Sequence, residues 1–277
     1  MTHAFRTKEY ELRNELYYTI LDLLEMRKPK VIEFSRLGFE GMPVSKRVLR
    51  PLIEEGKVSG YDDPRLPTLE ALKRRGIRQD AIRKFVLSLG FTKADTLAPF
   101  ETLESFNRKS VDADSIRLHM VKNPVTIRIG SLPSSTITMP NHPTKEMGKR
   151  TIELGEEFYV ESEDVQKMKT GDFIRFMGLG NVKITNQSPA EGQFVGDERG
   201  TDIPKIHWVV QKDALKIKIL IPSQLFIGEQ FNPASLEEIN VFTEHHFNEL
   251  KEGKEIQFVR FGYCRKDSML QAIYTHK

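Results

Sequence analysis

The sequence predicts an α+β protein of several domains, in which a small helical part precedes antiparallel β-barrel structure. Three observations lead to this prediction. A chain of 277 residues is long enough for two or three domains. Apolar residues recur at helical spacing up to about residue 112 and alternate along short segments beyond it. The formal net charge changes at the same place, from +4 over residues 1–112 to −1 over residues 113–277.

Four helices are predicted in the first part. The first lies between residues 7 and 26, where it carries an apolar stripe of Leu12, Leu16, Ile20 and Leu23. The second is capped by Ser45 and closed by Gly56. The third starts at Pro67-Thr68 and ends at Gly76, and the fourth, with Asp80 as its candidate cap, ends at Gly90.

Seven segments after residue 112 have the alternation and the β-branched content of strands. They are PVTIRI (124–129), EEFYVE (156–161), FIRFMG (173–178), NVKIT (181–185), KIHWVV (205–210), LKIKILI (215–221) and EIQFVRFGY (255–263). Seven strands with few helices between them indicate an antiparallel barrel or a pair of barrels. The boundary with the helical part is expected between Asn107 and Asp114.

Composition excludes several classes of protein. With 29% charged and 39% apolar residues, the chain is neither disordered nor fibrous. The single cysteine, Cys264, excludes a disulfide framework and a cysteine-cluster metal site, and the pair His245-His246 lacks a third ligand, so no bound metal is expected. No apolar run reaches about 18 residues and residues 1–15 lack an apolar signal, so we expect a cytoplasmic protein without a membrane partner.

The segment PVSKRVLRPLIEEG (43–56) is the most informative. Lys46 and Arg47 occupy the first turn of the helix that Ser45 caps, although the helix dipole prefers acids there. Free backbone N–H groups together with two cations form an anion site, and the alternative is a solvated basic turn. Further along, residues 65–84 hold seven Lys and Arg against two acids, which is enough to attract a polyanion. Cations at the end of a helix are also ordinary partners of the dipole.

These residues resemble a known family. VSKR (44–47) and GYDDPRLPTLEALKRRG (60–76) are similar to class I glutamyl-tRNA synthetases of the archaeal type, whose C-terminal half is shared with glutaminyl-tRNA synthetases. The resemblance implies that VSKR is the KMSKS loop, in which Ser45, Lys46 and Arg47 bind ATP and Lys46 is catalytic. Pro43, Val44 and Arg47 depart from the literal consensus. It also implies a helical domain that contacts the tRNA stem through Arg65, Lys73, Arg74 and Arg75.

The resemblance extends to both ends of the chain. THAFRTKEYELRNE (2–15) is similar to the last part of a Rossmann-type catalytic domain, where Arg6 matches a position that binds the amino acid. KIHWV (205–209) and IQFVRFGYCRKDS (256–268) are similar to two anticodon-binding β-barrels. Gln257 and Arg260 match a motif that reads the middle anticodon base, although Val259 replaces an acid. Because their spacing is odd, a bulge or a strand end is needed for them to converge.

The resemblance therefore implies three regions: the end of the catalytic domain (1–44), the KMSKS-like loop with the helical stem-contact domain (45–112), and two barrels (113–277). The implied function is that of the C-terminal portion of a glutamate–tRNA ligase, with ATP and Mg²⁺ as cofactors and tRNA for glutamate as partner. Whether tRNA for glutamine is also accepted stays open. No HIGH-like motif is present, so an N-terminal catalytic half is the expected partner and the chain alone is expected to be inactive. The alternative is a stand-alone RNA-binding module without catalysis.

Overall fold

The computed structural model describes residues 1–198, 200 and 202–277. Within this range the chain forms seven α-helices: α1 (Asn14–Leu23), α2 (Lys46–Glu54), α3 (Leu69–Arg75), α4 (Gln79–Leu89), α5 (Phe100–Val111), α6 (Ser162–Lys167) and α7 (His246–Glu249).

The same residues contain 22 strands, most of them short. They are β1 (His3–Thr7), β2 (Lys30–Phe34), β3 (Leu37–Phe39), β4 (Thr96–Ala98), β5 (Ile116–Leu118), β6 (Met120–Val121), β7 (Pro124–Gly130), β8 (Thr136–Pro140), β9 (Lys149–Glu153), β10 (Glu157–Glu161), β11 (Phe173–Phe176), β12 (Gly180–Gln187), β13 (Ala190–Gly196), β14 (Lys205–Ile206), β15 (Val209–Val210), β16 (Leu215–Pro222), β17 (Phe226–Ile227), β18 (Gln230–Phe231), β19 (Leu236–Thr243), β20 (Glu255–Phe258), β21 (Gly262–Ser268) and β22 (Gln271–His276).

The first region is a small β-α-β unit in which β1 and β2 pair in parallel around α1. The expected helix over residues 7–26 is shorter than predicted, because a 3₁₀ turn occupies Lys8–Arg13 and α1 begins only at Asn14. Leu21 is the buried residue of α1, whereas Leu12 and Leu23 of the predicted stripe are 95% and 79% exposed. The helical spacing of these apolar residues predicted a buried face, but the described residues do not cover that face.

Helices α3, α4 and α5 pack around a core of aromatic side chains that includes Phe39, Phe85 and Phe100. The caps of α3 are confirmed: the Thr68 hydroxyl accepts a hydrogen bond from Ala71 N at 3.1 Å, and Gly76 ends the helix in the left-handed conformation. Helix α5 was not predicted.

The prediction that Asp80 caps α4 is wrong. Arg78 occupies the N-cap position, and Asp80 lies in the first turn, where it accepts a hydrogen bond from Ser110 Oγ at 2.6 Å and pairs with Lys84. A first-turn acid complements the helix dipole without acting as the cap, and the cap position lies two residues before Asp80. Gly90 ends α4 as expected.

The first barrel is a curled sheet with the strand order β14-β11-β12-β13-β7-β10-β15. The predicted strand KIHWVV is in fact two short strands, β14 and β15, which lie at the two opposite edges of the sheet. Strand β15 begins only four residues after β14 begins, yet the two strands form opposite edges of the sheet. The two edges must therefore lie close together, which means that the sheet curls back on itself. The predicted turn at GLGN (178–181) is confirmed between β11 and β12.

The second barrel repeats this arrangement with the order β5-β20-β21-β22-β16-β19-β6. Here β5 and β6, joined by His119, supply the two edges. The predicted strand EIQFVRFGY is also interrupted: β20 ends at Phe258 and β21 begins at Gly262, with Arg260 at φ 66° in the turn between them. The chain thus starts the second barrel, builds the whole first barrel, and returns to finish the second.

Buried polar groups join the two barrels. Arg150 of the β8–β9 hairpin pairs with Glu244 after β19, with Nη2 and Oε1 at 2.9 Å, and both side chains are buried. Glu244 also accepts a hydrogen bond from the backbone N–H of His119, whose ring nitrogen Nδ1 contacts the carbonyl of Trp208 at 3.1 Å. Trp208 itself is 1% exposed, which confirms the prediction that it is a core residue.

Arginines join the helical part to the second barrel. The guanidinium of Arg74 makes a two-pronged contact with Asp267 (2.9 and 2.8 Å). Arg78 Nε donates to Glu255 Oε1 at 2.8 Å. Bidentate guanidinium–carboxylate pairs combine charge with fixed geometry, so these contacts set the orientation of α3 and α4 on strands β20 and β21.

Replacing Arg75 with methionine is predicted to lower the free energy of unfolding by about 3 kcal/mol, because removing one partner of a buried pair leaves the other uncompensated. Arg75 is buried and donates to Glu104 at 2.6 Å and to the Thr275 carbonyl at 3.2 Å. Urea unfolding followed by circular dichroism measures the change. The control Arg83→Met, at an exposed site, should stay within about 0.5 kcal/mol of the parent. Equal small losses in both variants would contradict the prediction.

Stability is predicted to fall as the pH decreases from about 6.5 to about 4. Burial lowers the pKa of His119 to about 4, with Glu244 opposing the shift. The unfolded chain, with an ordinary histidine pKa near ~6.5, binds the proton in this window while the folded chain does not, so up to about 3 kcal/mol is lost on acidification and none above ~6.5. Unfolding free energies measured at several pH values should show a shallower slope for His119→Asn. An unchanged slope would count against the assignment.

Candidate nucleic-acid interface

The turn that leads into α2 presents cations and free donors to solvent. Ser45 is the N-cap residue, as predicted, but its hydroxyl makes no capping hydrogen bond. The Ser45 carbonyl accepts from Val48 N and Leu49 N, so the amides of Lys46 and Arg47 have no partner within the helix. Lys46 and Arg47 are exposed and form no ion pair with any described residue. This arrangement fits the oxygens of a phosphate chain.

Two of the four arginine and lysine positions implied to contact tRNA are buried. Arg65 is 7% exposed and donates to both carboxylate oxygens of Asp63, at 2.8 and 2.7 Å, as well as to Ser235. Burial by itself would raise the pKa of Asp63, but hydrogen bonds from Arg65 and Ser59 lower it overall. Arg75 is likewise enclosed, with Phe100 below its guanidinium at 4.4 Å. Contact with RNA, which the resemblance implies for both arginines, is not available to them in this conformation.

The other two positions differ from each other. Lys73 is exposed and has no ion pair in the described part of the chain. Arg74 is partly exposed, with a side-chain accessibility of 28%, and is held by Asp267 and Asp62. Its guanidinium therefore has a structural role on the second barrel, and part of the side chain remains accessible to solvent.

Gln257 lies near the end of β20 and Arg260 follows it, which is the strand end that their odd spacing was expected to require. The two side chains nevertheless do not line the same cavity. Arg260, in the turn after β20, pairs with Asp164 of the first barrel at 2.6 and 2.9 Å. It borders a cavity of about 220 Å³ between the barrels, together with His207, Glu161 and Lys122. Gln257 lies on the strand itself, and its Oε1 is buried with no hydrogen-bond partner among the described residues.

Arg6 lies on β1 and is half-buried. Its guanidinium carbon is 3.7 Å from the centre of the Tyr17 ring, a cation–π contact with α1. The contact fixes the side chain on the helix side of the β-α-β unit.

The remaining candidates have structural roles. Cys264 is buried in β21, and burial raises the pKa of its thiol, which agrees with the interpretation as an inert strand residue. His246 pairs with Glu249 at 2.8 Å, and no group of three possible metal ligands occurs among residues that the structure describes. Across the described ranges, no helix combines the length and the apolar character needed to cross a membrane.

Comparison with known families matches nearly the whole chain. Residues 1–113 match the catalytic domain of the tRNA synthetases class I (E and Q), and residues 115–197 and 205–267 match two anticodon-binding domains of the same group. These two matched segments contain most of the strands of the two curled sheets, and all three matches belong to one class, the class I aminoacyl-tRNA synthetases. Within that class, the chain belongs to the family of tRNA synthetases for glutamate and glutamine.

Curated relatives agree with this family. The chain is 60% identical to a glutamate–tRNA ligase of Nitrosopumilus maritimus and 53% identical to one of Cenarchaeum symbiosum, each over the full chain and 49% of the relative. It is 32% identical to a glutamine–tRNA ligase of Actinobacillus succinogenes, over 97% of this chain and 55% of that protein. The chain therefore spans about half the length of the curated relatives it matches.

Proposed function

We propose that this chain is the tRNA-binding portion of a glutamate–tRNA ligase and that it also supplies the loop that holds ATP. The match of residues 115–197 and 205–267 to two anticodon-binding domains carries the proposal. The names of the archaeal relatives support glutamate as the amino acid. In this proposal residues 1–44 end the catalytic domain, residues 45–112 hold the ATP loop and the stem-contact helices, and residues 113–277 read the anticodon in the cytoplasm.

The ATP loop is the turn formed by Ser45, Lys46 and Arg47. The exposed ammonium of Lys46 would stabilise negative charge on the phosphates while the amides at the start of α2 donate to their oxygens. Bound ATP with Mg²⁺ would activate the glutamate carboxylate as an adenylate, with release of pyrophosphate. Arg6 would contact the amino acid, which requires its guanidinium to leave the ring of Tyr17 or to bind a carboxylate at its free edge.

The proposed tRNA contact has two parts. Lys73 and the accessible part of the Arg74 side chain contact the phosphates of the stem, and this contact depends on shape and charge. The barrels read unstacked anticodon bases by edge hydrogen bonds, as is common for single-stranded RNA. Gln257 supports this part of the proposal, because its carbonyl oxygen is an acceptor that finds no partner in the described ranges.

Lys73→Ala is predicted to weaken tRNA binding by a similar factor for all anticodon sequences and to reduce the salt slope of log K by about 1. The ammonium is exposed and forms no ion pair with any residue that the structure describes, so its loss removes one phosphate contact without disturbing the fold. Filter binding at several salt concentrations measures the slope. Lys84→Ala is the matched control, since that lysine is already paired with Asp80. An unchanged slope for Lys73→Ala would contradict the stem contact.

The chain is predicted to bind a transcript with the glutamate anticodon more tightly than one with the middle base changed. One lost base-edge contact corresponds to roughly 1–3 kcal/mol. Gln257→Ala should remove most of this preference, and Arg260→Ala should reduce it. A transcript of tRNA for glutamine, measured beside them, tests the second partner. Equal and wholly salt-sensitive binding of all transcripts would refute anticodon reading by the barrels.

The 277-residue chain alone is predicted to show no ATP–pyrophosphate exchange with glutamate. Adenylate formation requires the carboxylate to be held in line with the α-phosphate, and no HIGH-like motif is present in the sequence to help bind the nucleotide. The assay is run with tRNA present, and with Lys46→Ala as the control. Exchange above the background of that variant would disprove the prediction.

A further inference from the structure

A cavity of about 460 Å³ lies where the helical part meets the second barrel. Arg75 of α3 and Glu101 and Glu104 of α5 line it from the helical part. The connection from β16 to β19 lines it from the barrel, between Pro222 and Asn232. Cavities of this size are typical of small-molecule sites, which combine apolar walls with a few polar groups. The cavity is therefore large enough for a small ligand, and its polar groups indicate which kind.

Arg75 keeps one hydrogen-bond donor without a partner. The residue is 4% exposed, and its Nη2 donates to Glu104 Oε1 at 2.6 Å and to the Thr275 carbonyl at 3.2 Å. Nε is also buried, but it makes no hydrogen bond with any residue that the structure describes. Native structures rarely bury such a donor without an acceptor. Because Arg75 lines the cavity, an oxygen atom of a ligand can supply this acceptor.

Two carboxylates at the cavity share this one guanidinium. Glu101 and Glu104 are three residues apart on α5, which places them on the same side of the helix. Glu104 pairs with Arg75, whereas Glu101 is exposed and has no ion pair in the described part of the chain. Burial raises the pKa of Glu104; Arg75 opposes this shift, and the charge of Glu101 adds to it. A further cation at this wall would therefore be stabilised by both carboxylates.

The rest of the cavity wall is partly apolar. Met42 and Phe100 are buried, and the centre of the Phe100 ring lies 4.4 Å from the guanidinium carbon of Arg75. Ile227 of β17, on the barrel side, is largely exposed. An apolar group of a ligand that covered Ile227 would remove its surface from water. The cavity thus offers an apolar surface next to the Arg75 donor and the two carboxylates.

We propose that this cavity binds an α-amino acid with an apolar side chain. The ammonium group of the ligand contacts the carboxylates of Glu101 and Glu104, and its carboxylate accepts a hydrogen bond from Arg75 Nε–H. The Arg75 side chain turns slightly to present this donor, since Nε is covered in the free chain. The apolar side chain of the ligand lies against Ile227 and Met42. The inference goes beyond the proposed function and does not depend on it.

Binding at this place has a structural consequence. The amino acid contacts α3 and α5 on one side and the connection after β16 on the other, so it joins the helical part to the second barrel. A ligand that binds only the folded chain raises the free energy of unfolding. The melting temperature should therefore report on occupancy of the cavity.

The test is a titration of the full chain with L-leucine, followed by ligand-observed NMR and by the melting temperature. We expect saturable binding and a melting temperature that rises with the leucine concentration. Glu101→Gln keeps the shape of the side chain but removes its charge, and it should raise the dissociation constant roughly tenfold. Glu70→Gln is the matched control and should keep the parent value. Glu70 is also an exposed acid in the first turn of a helix, but it does not line the cavity.

Two analogues of leucine separate the contacts of the ligand. Isocaproate lacks the ammonium group, and isoamylamine lacks the carboxylate. Each should bind at least about tenfold more weakly than leucine, because each loses one charge-assisted contact. Leucine binding should be retained in Arg6→Ala, since Arg6 belongs to the proposed contact with the substrate amino acid and does not line this cavity.

The other outcomes overturn the inference. Leucine that shows no saturable binding, or that binds Glu101→Gln as tightly as the parent, is not held by this cavity. If isoamylamine binds as tightly as leucine, Arg75 contacts no ligand carboxylate and the wall merely attracts cations. If isocaproate does so, the two acids hold no ammonium group. Loss of leucine binding in Arg6→Ala places the amino acid at Arg6 instead. All of these results leave the proposed contact with tRNA untouched.

Discussion

The architecture depends on the contacts between arginines of the helical part and carboxylates of the second barrel. Arg74 and Arg78 flank the turn between α3 and α4 and reach Asp267 and Glu255 on neighbouring strands. The turn itself requires Gly76: its φ is 94°, and a Cβ there would lie 2.9 Å from Thr275 Oγ1. A residue without a side chain allows the backbone to approach the barrel closely enough for both guanidinium groups to engage.

A second constraint keeps the barrels together. Residues 116–121 supply both edges of the second sheet and residues 205–210 supply both edges of the first, so each barrel is closed by one continuous piece of chain. These two pieces of chain meet where the ring of His119 contacts the backbone carbonyl of Trp208. The helical part is also linked to the second barrel on another side, because Leu225 of the β16–β17 connection is buried in one cluster with Leu49 and Leu52 of α2. The turn that starts at Ser45 therefore sits on an element that packs directly against the second barrel.

Much of this fold could be predicted from the sequence. Local signals were sufficient for α3, whose cap residues Thr68 and Gly76 act through short-range hydrogen bonds, and for strands such as β7 and β16, whose alternation reports one buried face. Local signals failed at 205–210 and 255–263, where unbroken alternation concealed a change of sheet edge and a turn. Those breaks are set by barrel closure, which depends on strands distant in the sequence.

In the candidate site, too, some features follow from the local sequence and others depend on contacts between distant parts of the chain. Exposure of Lys46, Arg47 and Lys73 follows from polarity, whereas the burial of Arg65 and Arg75 follows from acids that lie nearby only in the fold. An arginine-rich segment has the same composition whether it faces RNA or a carboxylate.

The central claim is that Arg74, in the last turn of α3, and Arg78, just after it, hold the helical part on the second barrel. A double-mutant cycle on Arg74 and Asp267 tests it most directly, with urea unfolding of Arg74→Gln, Asp267→Asn and the double variant. The account predicts a coupling free energy of about 1–3 kcal/mol, because the two side chains form a bidentate, partly buried pair. Additive effects, with tRNA affinity lost in Arg74→Gln but not in Asp267→Asn, would show that Arg74 serves the RNA rather than the fold.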